Sequence, residues 1–317
     1  MRDAVLRLAT ALTGATALPP LLGAAVDRLE ASGWPEVAWR WSRLTPSGFP
    51  VELTATTGAG GLHWTAEAAG PELPETDRLH RAAALLGASG QAPLPELVGL
   101  LAAAQSGADL RFGAWIGGRE LPDAAPRLKL YAELPAPTEP LTEPLTGPLT
   151  EPLTGPLTMP GLAELLPDRV AAAWRRLPAG TVPRMLGVEP ARGRYELYAR
   201  LPTTDVLDLV TFLHTAGHPS ALRVLDDGLP DGLRRLAGRR LGLSMAWTTG
   251  SPITVALFAS ARTLFPTAPD TLTTMAPVLE RVRDLHVRRV LVAIGLDPGH
   301  DRPSVSVGLV PAPVAPP

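Results

Sequence analysis

Stretches in which hydrophobic and polar residues alternate take turns along the chain with stretches of helical periodicity. Alternation with a period of two predicts strands, because successive side chains of a strand point to opposite faces. Gly, Pro, Asp or Ser residues, which favour turns, join the predicted strands into pairs. Five pairs are predicted, at 36–45 with 49–57 (continuing into 61–68), 110–118 with 126–134, 184–189 with 194–201, 242–249 with 253–260, and 289–297 with 303–310.

Apolar residues at helical spacing fill the gaps between these pairs. The predicted helices cover 76–87, 95–105, 161–177, 203–217, 218–229 and 271–286. Asp205 is a candidate N-cap for one of them. At the N-terminus, Arg2 and Arg7 precede an apolar stretch that predicts an amphipathic first helix, with a secretory signal as the alternative.

Two strands separate polar from apolar side chains in the same way. In the strand at 127–134, one face carries Arg127, Lys129, Tyr131 and Glu133, and the other carries Leu128, Leu130, Ala132 and Leu134. The strand at 194–201 repeats this arrangement, with Arg194, Glu196, Tyr198 and Arg200 on the polar face. The polar face must therefore meet either solvent or a polar interior.

The fold class depends on whether the sheet closes. An open sheet with helices on one side would leave the polar face in water. A closed sheet would instead turn its apolar face to surrounding helices and enclose the polar face as a lumen. Closure also removes unpaired strand edges. We therefore predict an α+β fold with a closed ten-stranded antiparallel β-barrel of repeated hairpins inside an outer ring of α-helices; the open sheet is the alternative.

Two segments are not expected to join the core. Residues 136–159 form a repeat of Pro-Leu-Thr with a period of four, whose prolines lack the N–H that helix and sheet require. The tail at 312–317 is also rich in proline. The length of 317 residues fits one large domain or two ordinary ones. We expect one barrel domain over 1–317, with 136–159 as an insertion within it.

Composition excludes several classes of protein. A formal net charge of −2 offers no positive field for a nucleic-acid backbone, so no nucleic-acid partner is expected. No uncharged apolar run reaches the roughly 18 residues of a membrane span. Cysteine is absent, which excludes disulfides and thiolate nucleophiles. We expect a cytoplasmic protein that acts as a monomer.

The basic residues comprise 28 arginines and one lysine, Lys129. A lysine retained against such a bias indicates a position that needs a compact ammonium group, although chance survival is an alternative. In a closed lumen Lys129 would converge with Arg127 and Arg194 on a polyanion. Tyr131 and Tyr198 would add hydroxyl groups and π faces beside a cation. This combination suits an allylic diphosphate, whose leaving group is anionic and whose departing carbon chain is cationic.

The motifs GFPVEL at 48–53, KLY at 129–131 and RYELY at 194–198, with the five hairpin repeats, resemble the soluble aromatic prenyltransferases of the ABBA barrel type. The order of the N-terminal segments is most similar to the bacterial branch that prenylates cyanobactin-like peptides. The resemblance implies transfer of a prenyl group from dimethylallyl or geranyl diphosphate to an electron-rich peptide side chain or small aromatic acceptor. It implies no tightly bound cofactor, with Mg²⁺ not required or only assisting.

Carried over to this sequence, the resemblance makes Glu52 the catalytic base that removes the acceptor proton. The expected diphosphate ligands are Lys129, Arg194, His63 and Arg127. The residues expected to shield the allylic cation or line the acceptor pocket are Tyr131, Tyr198, Trp115 and Phe258. No metal site is expected, since Asp226 and Asp227 precede a predicted turn and the histidines lack metal-ligand spacing.

Three departures from the family pattern weaken this assignment. His63 stands where a basic residue is usual, so a phosphate contact there would depend on protonation. Glu196 stands where a second cation is expected, and it opposes a polyanion. The inner faces of the last two hairpins carry no tyrosine. The alternative function is therefore a catalytically impaired barrel that binds a peptide or isoprenoid without turnover.

Overall fold

The structure, a computed structural model, describes most of the chain. The described residues are 1–32, 41–57, 61–121, 124–135, 162–228, 234, 236–264 and 275–312. The Pro-Leu-Thr repeat at 136–159 and all but the first residue of the tail at 312–317 lie outside them.

Ten antiparallel strands close into one barrel in which each strand pairs with its sequence neighbours and the first pairs with the last. This confirms the predicted closed barrel and excludes the open sheet. The strands are β1 (Val51–Thr56), β2 (Leu62–Glu67), β3 (Ala114–Glu120), β4 (Arg127–Glu133), β5 (Val182–Glu189), β6 (Arg194–Thr204), β7 (Arg239–Trp247), β8 (Thr254–Ser260), β9 (Val287–Leu296) and β10 (Ser304–Pro311).

Helices cover the outside of the barrel. They are α1 (Arg2–Thr13), α2 (Pro20–Ala31), α3 (Glu75–Ala88), α4 (Pro95–Gln105), α5 (Asp168–Trp174), α6 (Val206–Thr215), α7 (Ala221–Gly228), α8 (Ala261–Leu264) and α9 (Ala276–Arg281). Asp205 caps α6 as predicted, because its side chain accepts the backbone N–H of Asp208 at 2.8 Å. Among the described helices, none combines the length and the apolar character that a membrane span requires.

Two of the predicted helices, the N-terminal one and the one at 161–177, are interrupted at prolines. The N-terminal stretch divides into α1 and α2, and Pro20 occupies the first turn of α2, where its missing N–H costs nothing. The helix predicted at 161–177 is a 3₁₀ turn at Ala163–Leu165 followed by α5. Pro167 separates the two because the residue before a proline disfavours helical geometry.

The core lies between the barrel and the helices. The outward-facing side chains Leu130, Leu197 and Leu257 are at most 1% exposed. On α3, Leu79, Ala82 and Leu86 recur at helical spacing and are fully buried, and this helix packs on β3 and β4. Each buried leucine contributes about 1.5–3 kcal/mol of hydrophobic stabilisation, so this layer holds the barrel wall in place.

The two ends of the barrel differ in their connections. At one end, short connections join β1 to β2, β3 to β4, β5 to β6, β7 to β8 and β9 to β10. We call this the turn end. At the other end, the connections between hairpins pass through the helices for most of the barrel. We call this the helix end, and it presents the first residues of the odd-numbered strands.

The first hairpin differs from the prediction. Trp41–Thr45 is not a strand, and residues 33–40 lie outside the described ranges. The Thr45 hydroxyl donates to the Phe49 carbonyl at 2.9 Å, and Gly48 N–H donates to the Thr45 carbonyl at 3.0 Å with a φ of 78°. A turn therefore leads into β1, which is hairpin partner to β2. Glu52 consequently lies on the first strand of the first hairpin, not on the second.

Candidate functional site

Ladder pairing places Glu52 and Lys129 on the same face of the sheet. Glu52 lies opposite Thr65, and Thr65 lies opposite Gly117. Gly117 in turn lies opposite Lys129. Residues directly opposite one another in antiparallel strands share a face. Since the helices cover the outer face, both side chains point into the lumen, three strand spacings apart, or about 14 Å along the curved wall.

Lys129 reaches across β5 to two residues of β6. Its ammonium forms an ion pair with Glu196 and donates a hydrogen bond to the Tyr198 hydroxyl at 3.1 Å. Gly187 of β5 makes this possible, because a Cβ there would lie 2.4 Å from Cε of Lys129. The ammonium also lies 4.9 Å and 5.2 Å from the ring centroids of Tyr131 and Tyr198.

Both members of this ion pair are charged at neutral pH. Burial by itself would lower the pKa of Lys129, but Glu196, Tyr131 and Glu189 outweigh it, and the pKa of Lys129 is raised. Burial would likewise raise the pKa of Glu196, but Lys129 outweighs it and the pKa is lowered. The charge of the single lysine is therefore balanced within the protein before any ligand binds.

Glu52 has a different environment. Burial raises the pKa of its carboxyl to about 7, countered only by a hydrogen bond with Thr54. Gly308 of β10 leaves room for this carboxylate, because a Cβ there would lie 2.6 Å from Oε1. The carboxylate borders a cavity of about 710 Å³ at the helix end, which Arg43, Arg288 and Leu291 also line. A carboxyl that titrates near neutral pH is suited to exchange a proton with a bound molecule.

A group of basic residues, which we call the turn-end cluster, consists of His63 and the three arginines Arg119, Arg127 and Arg194. His63, Arg119 and Arg127 are consecutive ladder partners on one face. Burial lowers the pKa of Arg119, and the nearby charges of Arg127 and Arg194 lower it further. Convergent guanidinium groups that disfavour one another's charge form a natural site for an anion.

Two members of the turn-end cluster have particular partners. Arg194 donates to the Thr254 hydroxyl at 2.9 Å and lies 3.6 Å from the Glu189 carboxylate. Burial, with the charges of Arg119, Arg127 and Lys129, lowers the pKa of His63 to about 4. The imidazole is therefore neutral at physiological pH. Its Nε2 is buried with no hydrogen-bond partner among the described residues.

The aromatic residues divide into two groups. Tyr131 lies 5.9 Å from Tyr198, and Tyr198 lies 5.9 Å from Phe258, ring centroid to ring centroid. These three form one continuous aromatic wall beside Lys129. Trp115 lies opposite Tyr131 in the ladder, but its ring stacks on Phe112 at 3.9 Å. It belongs to the helix end.

The half of the lumen formed by β8–β10 is weakly polar. Its inward positions carry small residues, and the Thr56 and Ser306 hydroxyls share a hydrogen bond of 2.9 Å. Phe258 is the single aromatic residue that this half contributes among the described residues. The inner faces of these hairpins carry no tyrosine among the described residues. No cluster of potential metal ligands occurs among the residues that the structure describes.

The comparisons with solved structures identify the architecture. The chain is similar to 6-dimethylallyltryptophan synthase from Micromonospora olivasterospora in complex with DMASPP and Trp, at 18% identity over 97% of this chain and 96% of that one, with a TM-score of 0.64. It is also similar to prenyltransferase PriB, at 16% identity over 97% and 95% of the two chains, with a TM-score of 0.65. The chain has the fold of these prenyltransferases.

A third similar structure is 5-dimethylallyltryptophan synthase from Streptomyces coelicolor in complex with DMASPP and Trp, at 15% identity over 98% of this chain and 95% of that one, with a TM-score of 0.60. No protein-family model matches the sequence, and comparison with curated proteins also gave no match. The likeness therefore concerns the ABBA barrel itself.

Sequence reasoning missed two features of the site. Arg119 was not singled out, although it faces Arg127 across the hairpin of β3 and β4. The partnership of Lys129 with Glu196 was also missed. Lys129 and Glu196 were each assigned to a polar strand face, and Gly187 lies between their two strands. A glycine on the strand between two lumen-facing charges was the available signal.

Proposed function

We propose that this protein transfers a prenyl group from an allylic diphosphate, dimethylallyl or geranyl, to an electron-rich side chain of an aromatic or peptide acceptor. The observation that carries the proposal is one lumen holding a carboxyl with a pKa of about 7, a buried ammonium beside two phenols, and a group of convergent arginines. These are the groups that the reaction needs.

The diphosphate binds between Lys129 and the turn-end cluster, where Arg119, Arg127 and Arg194 neutralise its charge. His63, being neutral, contributes a hydrogen bond and no charge. These cations stabilise the leaving group in the way that a metal would, so Mg²⁺ is not required or only assists. The allylic carbon then lies against Tyr131 and Tyr198, whose π faces stabilise developing positive charge.

In the chemical step, the acceptor's nucleophilic atom forms a bond to C1 of the prenyl group as the C1–O bond to diphosphate breaks. Glu52 takes the proton that the acceptor must lose, and diphosphate departs with the bonding electron pair. Phe258 and Trp115 line the route by which the acceptor approaches. Since the β8–β10 half of the lumen carries small side chains, it accommodates an acceptor larger than a free amino acid, which supports a peptide acceptor of the cyanobactin type.

The test is incubation of the purified protein with dimethylallyl or geranyl diphosphate and a panel of Tyr-, Trp-, His- and Arg-containing peptides and aromatic amino acids, with and without a chelator. Mass spectrometry is expected to detect prenyl addition, at least 100-fold slower in Glu52→Gln. Lys129→Ala is expected to weaken donor binding. Equal donor affinity in Lys129→Ala and the native protein would refute the assignment.

A second candidate function is a barrel that binds an isoprenoid or peptide without turnover. The ion pair of Lys129 with Glu196 favours it, because it removes one positive charge from the diphosphate site. Calorimetric binding of a prenyl diphosphate with no product from any acceptor would select this candidate over the transferase. The closed barrel leaves no unpaired strand edge for self-association, so we propose that the protein acts as a monomer, which light scattering tests.

A further inference from the structure

A second group of arginines lies at the helix end, away from the turn-end cluster. It lines a cavity of about 850 Å³, which we call the helix-end cavity, together with Trp41, Phe112 and Trp115. The arginines are Arg43, Arg78, Arg111, Arg184 and Arg200. The volume is near the upper limit of the roughly 300–1,000 Å³ of ligand pockets, which is large enough for several residues of a peptide.

Arg78 has a structural role. It is 3% exposed, donates to the Leu73 carbonyl at 3.1 Å, and lies 3.6 Å from the buried carboxylate of Glu67 and 3.8 Å from that of Glu75. Its guanidinium also lies 5.2 Å from the ring centroid of Trp41. Its charge is therefore balanced within the fold.

The carboxylate of Glu133 is bound by backbone N–H groups. Its oxygens accept the backbone N–H groups of Arg111, Phe112 and Gly113 at 2.7–3.1 Å, which fixes the segment before β3. It forms no ion pair with an arginine side chain among the described residues. The third acidic residue of the helix-end cavity, Asp109, is exposed, as are Arg43, Arg111 and Arg200.

Four arginines of the helix-end cavity form no ion pair with another described residue. Within the described ranges, no carboxylate oxygen lies within 4.0 Å of the guanidinium groups of Arg43, Arg111, Arg184 or Arg200. Three of them crowd one another: burial lowers the pKa of Arg184, the charges of Arg111 and Arg200 lower it further, and the opposing charge of Glu133 does not outweigh them. Positive charge concentrated on a partly enclosed surface is relieved by an anionic ligand.

The position of the helix-end cavity indicates whether the anionic ligand is part of the acceptor or of the prenyl donor. Trp115, stacked on Phe112, lies between the arginines and Tyr131 of the aromatic wall. Arg43 also lines the neighbouring cavity that Glu52 borders. The two cavities therefore adjoin at Arg43 on the helix end, whereas the cations assigned to the donor lie toward the turn end.

We propose that the helix-end cavity recognises an acidic peptide, in which an aromatic acceptor residue is flanked by two or more carboxylates. The carboxylates pair with Arg184, Arg200, Arg111 and Arg43, and the aromatic side chain extends past Trp115 into the lumen. This inference rests on the proposed transferase function for the reaction, but the recognition step does not require turnover.

The test is therefore a binding measurement without donor. Isothermal titration compares a hexapeptide containing one Trp flanked by Asp and Glu with its isosteric counterpart containing Asn and Gln. We expect the acidic peptide to bind at least about tenfold more tightly, and this preference to fall below about threefold in Arg184→Gln/Arg200→Gln, because two charge-assisted pairs are lost. The preference also falls with added salt.

A matched control is Arg223→Gln/Arg302→Gln, which removes two exposed arginines associated with the turn between β9 and β10, at the opposite end of the barrel. This variant is expected to keep the full preference. Equal affinity of the native protein for both peptides would overturn the proposal. So would a loss of inorganic pyrophosphate binding in Arg184→Gln/Arg200→Gln, because it would place the donor's headgroup at the helix end. Peptide recognition without prenyl transfer would refute the transferase and leave this inference intact.

Discussion

Replacing Glu196 with glutamine removes the negative charge that balances Lys129 and retains a side chain of the same size. The ion pair is well shielded, with the two side chains 10% and 13% exposed. The substitution leaves the ammonium of Lys129 without a counterion in a lumen that already contains the turn-end cluster. We therefore expect opposite effects on stability and on the affinity for a diphosphate.

The gain in donor affinity follows from electrostatics. A unit charge about 5 Å from the diphosphate is worth about 3 kcal/mol at an effective dielectric constant of about 20. Solvent screening and rearrangement of the lumen reduce this by about half, which leaves roughly a tenfold gain. Titration calorimetry with inorganic pyrophosphate, and with a thiolo analogue of dimethylallyl diphosphate, measures this at pH 7.5.

The loss of stability has a definite sign and pH range. The pKa of Glu196 is lowered by folding, so its contribution is present above its unfolded pKa and is lost as pH falls through the lower folded value. The pKa of Lys129 is raised, so its contribution is present below its unfolded pKa and is lost only at high pH. At neutral pH, Glu196→Gln is expected to cost about 3 kcal/mol, since breaking a buried pair leaves one charge unpaired. Unchanged or weaker pyrophosphate binding, in a variant that melts cooperatively, would refute the reasoning.

Three further predictions follow from single contacts. Folding raises the pKa of Glu52 from 4.5 to about 7, so the stabilising contribution of this carboxyl is complete below pH 4.5 and is lost as pH rises to about 7. Thermal melts of Glu52→Gln should therefore show a gain in stability over the native protein of up to about 3 kcal/mol above pH 7. An equal stability difference at pH 4 and pH 8 would contradict this. Gly187→Ala places a Cβ 2.4 Å from Cε of Lys129, so it should displace the ammonium and weaken donor binding in calorimetry about as much as Lys129→Ala; unaltered binding would count against the role of this glycine. Leu130→Ala, at a fully buried outward position, should cost about 2–5 kcal/mol in denaturant unfolding, and a cost below 1 kcal/mol would show that the wall repacks.

The alternation of polar and apolar residues along the strands predicted most of the fold. The separation of Leu128, Leu130 and Ala132 from Lys129 and Tyr131 predicted the two faces of β4, and the closed barrel places the first group under helices and the second in the lumen. Such faces are local properties of the sequence, so they are predictable without knowing which strands pair.

Other features depend on interactions that the sequence does not display. The alternation in 36–45 predicted a strand, but Ser42 instead donates to the buried carboxylate of Glu67 at 2.7 Å, and Thr45 forms a turn with Gly48. A hydrogen bond to a residue 25 positions away cannot be inferred from periodicity.

The candidate site shows the same limit. Lys129, Arg127 and Tyr131 were each assigned to a lumen and Glu52 to catalysis, and the ladder partners place all four on the lumen face. The charge balance was not predictable, because it depends on β5 contributing Gly187 at the point where Lys129 crosses to β6. Strand register decides such contacts, and a shift of one residue would reverse every face.

The most direct test of the account is a crystal structure of the protein with a thiolo analogue of dimethylallyl diphosphate. We predict that the diphosphate lies between Lys129 and the turn-end cluster, that the prenyl chain lies against Tyr131 and Tyr198, and that the Glu52 carboxylate faces the same lumen. A diphosphate bound among Arg184 and Arg200 at the helix end, or a Glu52 side chain that points out of the barrel, would contradict it.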